Sequence, residues 1–76
     1  MTNDHHIIAA RVSRITGYKV SVEEAMNDCI YDLRFHDGGV DPFDAWPVFE
    51  GMGIPVVGLG TGIITVFIPN REAYLI

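Results

Sequence analysis

Three histidines, one cysteine and ten carboxylates are the side chains of this 76-residue chain whose types could carry metal, nucleophilic or acid–base chemistry. Their spacing argues against all three. His5 and His6 are neighbours, and neighbours on a helix diverge by about 100°, so they chelate poorly; only a tertiary fold could add His36 or Asp4 to them. His36 and Asp37 precede Gly38 and Gly39, where a loop acid–base pair and an ordinary surface turn are both open and the turn is favoured. Cys29 falls on an apolar stripe and reads as a small buried hydrophobe rather than a nucleophile. The glycines of GLGTG, residues 58–62, resemble a phosphate-cradling loop, but such a loop must run directly into a helix. Here IITVFIP follows, which is strand, so a hairpin turn is the reading. No catalytic residue, metal ligand or cofactor is assigned.

Binding chemistry is better represented. Residues 21–50 hold Glu23, Glu24, Asp28, Asp32, Asp37, Asp41, Asp44 and Glu50 against the single Arg34, and so contain the whole acidic excess of a chain with net charge −5. Binding to nucleic acid draws its main free energy from cations that replace counterions on phosphates. Direct nucleic-acid binding is therefore not expected, whereas a basic protein partner is allowed, and a merely solvated acidic face is the plainer alternative. A winged-helix arrangement fails on the same ground, because its recognition helix would be DAWPVFEGM, with acids and neither Lys nor Arg.

The elements that must position these residues follow from periodicity. Ile7, Ile8, Val12 and Ile15 recur at helical spacing, with Asn3 or Asp4 as N-cap and Gly17 as a stop, which predicts a helix over about 4–16. Ser21 with Glu24 matches a capping box, and Val22, Ala25, Met26, Cys29, Ile30 and Leu33 share one helical face, which predicts a second helix over about 22–29. Tyr31, Leu33 and Phe35 also alternate with polar neighbours, so residues 30–35 are open between helix and strand, with strand favoured. HDGGVD reads as a turn. IPVVGLG, GTG and IITVFIP read as a hairpin whose apolar arms imply cover on both faces, or helices on one and a partner on the other. A third strand is expected from 30–35 or from the tail EAYLI. The fold class is α+β: two or three short helices packed on a small antiparallel sheet with a C-terminal β-hairpin, in one domain without internal repeat.

The most distinctive stretch is DPFDAWPVFEGMG, residues 41–53. Pro47 is tolerated only near a helix start, so Asp44 is expected as N-cap with Ala45, Trp46 and Pro47 as the first turn, and Gly51 and Gly53 as the limit. Trp46, Val48, Phe49 and Met52 cannot all face one way, which leaves at least one large apolar side chain for a second surface.

At 76 residues the chain buries only about 60% of its unfolded surface, so a partner would help it. One cysteine excludes an internal disulfide and suits a reducing compartment. The longest apolar run, residues 63–68, is far short of the roughly 20 residues of a membrane span, and no export signal is read. A cytoplasmic protein without membrane contact is expected.

The segment centred on Asp44, Ala45, Trp46 and Pro47, leading into GIPVV, resembles small phage-encoded proteins of the NinX type over about half of the chain. It departs from them at the C-terminus, where that family continues into a further tryptophan-containing stretch and a helix. The terminal G-x-P, strand, glycine turn and VFIP are similar to the end of a small phage anti-CRISPR protein. These resemblances imply phage origin and a bacterial host cytoplasm, and carry over no catalytic residue. The expected function is binding and inhibition of a host defence protein or nucleoprotein complex with a basic surface. Glu23, Glu24, Asp28, Asp32, Asp37, Asp41 and Asp44 would stand in for phosphates, with Phe43 and Trp46 as apolar anchors. The alternative is a self-assembling phage accessory module, a homo-oligomer formed through the hairpin edge or the AYLI tail.

Overall fold

Alternation of large apolar side chains on the strands fixes which face of the sheet is buried. The computed structural model describes residues 3–27 and 29–75. Its order is α1 (Asn3–Thr16), β1 (Val20–Ala25), β2 (Ile30–Phe35), α2 (Pro42–Gly51), β3 (Val56–Gly60), β4 (Ile63–Phe67) and α3 (Arg71–Tyr74). The strands form one antiparallel sheet in the order β1-β2-β4-β3, with β3 and β4 as the C-terminal hairpin. This is the expected α+β class, with α1 and α2 packed on one face of the sheet.

Tyr31, Leu33 and Phe35 of β2 and Ile64 and Val66 of β4 are buried on the helix side, together with Ile8 and Val12 of α1 and Ala45 and Phe49 of α2. Fully burying one such side chain contributes about 1.5–3 kcal/mol. Tyr18, Phe35 and Phe49 meet with ring centroids 5.6–6.2 Å apart and so join the α1–β1 connection, β2 and α2. Tyr74 and Leu75 pack against the core from α3, and Arg71 there bonds Asp4 of α1. The tail is thus a helical turn and not the third strand, a place that β2 takes.

Both longer helices end on a glycine in the left-handed region. Gly17 takes φ 83° and its N–H donates to the Ser13 carbonyl, while Gly53 takes φ 81° and donates to Glu50, with Ile54 N–H reaching back to Phe49. Both are C-terminal caps that need a left-handed residue. Helix α1 differs from expectation in its buried stripe: Ile8, Ala9 and Val12 are buried, but Ile7 and Ile15 are exposed.

The helix expected over 22–29 does not form; β1 occupies its first half, residues 22–25. The Asn27 side chain accepts from the N–H groups of Cys29 and Ile30, a turn that closes the β1–β2 hairpin and leaves Val20 and Val22 paired with Phe35 and Leu33. Non-local pairing with β2 outweighs the local capping-box signal. Cys29 accordingly lies half-buried in the hairpin loop, not on a helix stripe.

Chain order and register reveal an approximate two-fold axis normal to the sheet, which relates α1-β1-β2 to α2-β3-β4. On either side of the pair Asp32 and Thr65, Tyr31 opposes Val66 and Leu33 opposes Ile64. Each outer strand has its bulge at the equivalent place, between Val22 and Glu24 in β1 and between Val56 and Gly58 in β3. The repeat is one of architecture, and the sequence shows none.

Candidate functional site

Helix α2 begins earlier than expected. Asp41, not Asp44, is its N-cap: the Asp41 carboxylate accepts from Phe43 N–H at 3.0 Å, and Pro42 takes the first helical position, where no N–H is needed. Pro47 is consequently the sixth residue of the helix, where it cannot supply the i+4 donor to the Phe43 carbonyl. That carbonyl belongs to an exposed residue, so the loss falls on a solvated flank.

Ala45 and Phe49 turn into the core, which leaves Phe43, Trp46 and Glu50 along the outer flank at helical spacing. Phe43 is 66% exposed and Trp46 39%, with their ring centroids 5.9 Å apart. Glu50 anchors this flank to the sheet: one carboxylate oxygen accepts from the Trp46 indole N–H at 3.3 Å and from the Val56 backbone N–H at 3.0 Å. Next to Phe43 lies an open groove of about 750 Å³, lined by Phe35, Val40, Pro42 and Leu59, by the backbone of Gly38, Gly39, Gly60 and Gly62, and by Asp41 and Arg34. Asp37 accepts from Gly39 N–H at 2.9 Å, and Asp44 is exposed in the first turn of α2. No Lys or Arg occurs between Arg34 and Arg71, so α2 and the loop before it carry acids and exposed apolar side chains without a cation of their own, and Arg34 of β2 lines the groove beside them.

The residues expected to bind a partner therefore divide into two groups. Asp37, Asp41, Phe43, Asp44 and Trp46 gather at the start of α2 and the loop before it. Glu23, Glu24 and Asp32 lie elsewhere, on β1 and on the sheet face away from α1 and α2. There Glu24, Asp32, Thr65 and Gly58 form one row across the strands. Asp32 accepts a 2.5 Å bond from the Thr65 hydroxyl. Glu23 is paired with Arg34 Nε at 2.7 Å, and that hydrogen bond and the positive charge hold the Glu23 carboxyl below its ordinary range. Asp28 lies outside the described residues. The sheet face away from α1 and α2 also presents Ile30, Ile63 and the exposed Phe67.

His36 and Asp37 line a separate groove with Tyr18 and Lys19. Among the described residues no group of three or more His, Cys, Asp or Glu is placed to hold a metal ion, and no helix is long and apolar enough to cross a membrane. Sequence reasoning missed Glu50 as the link between α2 and the sheet. Its only signal was an acid four residues after Trp46 on the same helical flank.

Comparison of the chain with protein-family models, with curated proteins and with solved structures finds no match.

Proposed function

We propose that the protein is a binding module for a basic partner, docked through the Phe43 and Trp46 flank of α2 and the acids around it. The observation that carries this reading is an exposed aromatic pair held by a hydrogen-bonded Glu50, in a half of the chain without Lys or Arg. Rigid aromatics supply affinity at low conformational cost, and a rim of one charge sign supplies orientation and association rate. The resemblance of the DAWP segment and the terminal hairpin to phage proteins directs the reading to a nucleic-acid-handling complex of host defence, whose phosphate-binding surface the acids would occupy. Asp37, Asp41 and Asp44 are the acids placed for this role; Glu23 is already neutralised by Arg34.

The test is inhibition of target-DNA binding by a purified CRISPR-type surveillance complex. The expected result is inhibition that weakens with salt and is lost when Phe43 and Trp46 are both replaced by alanine. Inhibition that persists at high salt removes the electrostatic part, and none at any concentration removes this partner class.

A second reading is self-association through the sheet face away from α1 and α2, favoured by the partly exposed Ile30 and Ile63 and the exposed Phe67 lying on it. Sedimentation over a concentration series decides it, since a strict monomer ends the idea.

A further inference from the structure

We propose that the outer edge of β3 accepts an extended basic segment of the partner as a fifth strand, laid against the Phe43 and Trp46 flank of α2. This rests on the reading of that flank as a docking surface and names the form of what docks there.

Strand β3 ends the sheet order, so among the described residues its outer side has no neighbouring strand. Phe67 N–H donates to the Pro55 carbonyl, one step beyond the pair Val56 and Val66. In an antiparallel ladder this makes Val56 and Val66 a pair that does not exchange its own bonds, and the polar backbone groups of Val56 point outward. The outward N–H is the one that the Glu50 carboxylate accepts at 3.0 Å. A side-chain oxygen thus stands where the carbonyl of an added strand would stand, so a strand that takes this N–H displaces the Glu50 carboxylate from it and disturbs the bond that the same oxygen accepts from Trp46.

The two edges of the sheet are not equivalent. β1 carries Glu23 and Glu24, and Glu23 is tied across to Arg34, which blunts that edge with charge. β3 reads VVGLG, without a charge, and Gly58 and Gly60 offer no side chain against an approaching backbone. Val57, at the bulge, is 57% exposed. Edge strands of this kind are docking sites for extended segments, with main-chain bonds giving affinity and alternate side chains giving selectivity.

Charge identifies the occupant. A second copy paired edge to edge about a two-fold axis would bring Asp44 and Glu50 of α2 towards their own duplicates, with no Lys or Arg between Arg34 and Arg71 to answer them. A strand with lysine or arginine at alternate positions meets those carboxylates and the Trp46 ring instead.

The test titrates four synthetic peptides into the isotope-labelled full chain: alternating lysine and valine, alternating glutamate and valine, and two forms of the lysine peptide, one N-methylated on the residues of one edge and one on those of the other. The lysine peptide is expected to shift the amides of Val56–Gly60 and the Trp46 indole N–H, and the glutamate peptide to shift neither. N-methylation of the edge facing β3 is expected to weaken binding about tenfold, as loss of one or two main-chain hydrogen bonds requires, and methylation of the other edge to leave it unchanged. Equal binding by both methylated peptides overturns strand addition. If Phe43 and Trp46 still respond in that case, the docking flank stands without it; if neither they nor β3 respond to any peptide, both readings fall.

Discussion

The two halves, α1-β1-β2 and α2-β3-β4, share a backbone plan and differ in what they show to solvent. In the first, the bulged residue of the outer strand is Glu23, locked to Arg34; in the second it is Val57, exposed and uncharged. The first half carries Arg11, Arg14, Lys19 and Arg34, and the second carries no Lys or Arg. The core-facing residues match in kind, with Ile8 and Val12 on one helix and Ala45 and Phe49 on the other. Architecture is therefore set by the buried face and the glycine caps, and the outward residues are free to make one edge guarded and the other receptive.

The sharpest way to break the equivalence is to cut the core on each side. Phe49→Ala removes a fully buried ring that touches both Tyr18 and Phe35, and is expected to cost about 3–5 kcal/mol, against about 2–5 for Ile8→Ala. In a domain this small either change should leave much of the chain unfolded at 25 °C, which urea titration followed by circular dichroism will show. The caps sharpen the comparison. An added Cβ at Gly17 or Gly53 meets nothing within 4 Å, so Gly→Ala at either site carries only the strain of positive φ, about 1–2 kcal/mol. The two losses in thermal or urea stability should be similar because φ is nearly the same at both glycines; a clear difference means that the different hydrogen bonds of the two caps also count.

A smaller effect separates the helix starts. Asp41→Ala should lower stability by about 1 kcal/mol and Asp44→Ala by much less, since it is Asp41 that accepts the capping bond from Phe43 N–H. The smallest effect is acid dependence. The folded pKa of Glu23 lies below its unfolded value because of Arg34, so its contribution is present above the unfolded pKa and lost as the pH falls through the folded one. Glu23→Gln should remove a slight part of the loss of urea stability on the acid side. Val57→Gln at the equivalent bulge should leave that slope unchanged.

Much of this was legible because it was local. The hairpin followed from GTG between apolar runs, and α1 from its spacing and Gly17. The exposed aromatic flank followed from counting more large apolar side chains on α2 than one face can hide. The β1 strand was not legible, because Ser21, Glu24 and the apolar residues after them satisfy a helix as well as a strand, and the choice was made by Leu33 and Phe35 across the sheet. Asp44 was preferred as cap because a proline was placed in the first turn; in fact two prolines share the helix, and Pro42 holds that place while Pro47 sits on a solvated flank. The contact of Glu50 with Val56 depends on how α2 lies over β3, which no periodicity states.

The register of β2 on β4 also bears on how the chain reaches its fold. Each half forms its own hairpin from residues close in sequence, joined by the Asn27 turn in one case and by Thr61 and Gly62 in the other. The central pairing joins residues from opposite halves and is the step with the larger loop-closure entropy. Folding should therefore be limited by the meeting of two partly ordered halves, so substitutions at Leu33 and Ile64 would slow the refolding rate while changes in either turn act mainly on its own hairpin.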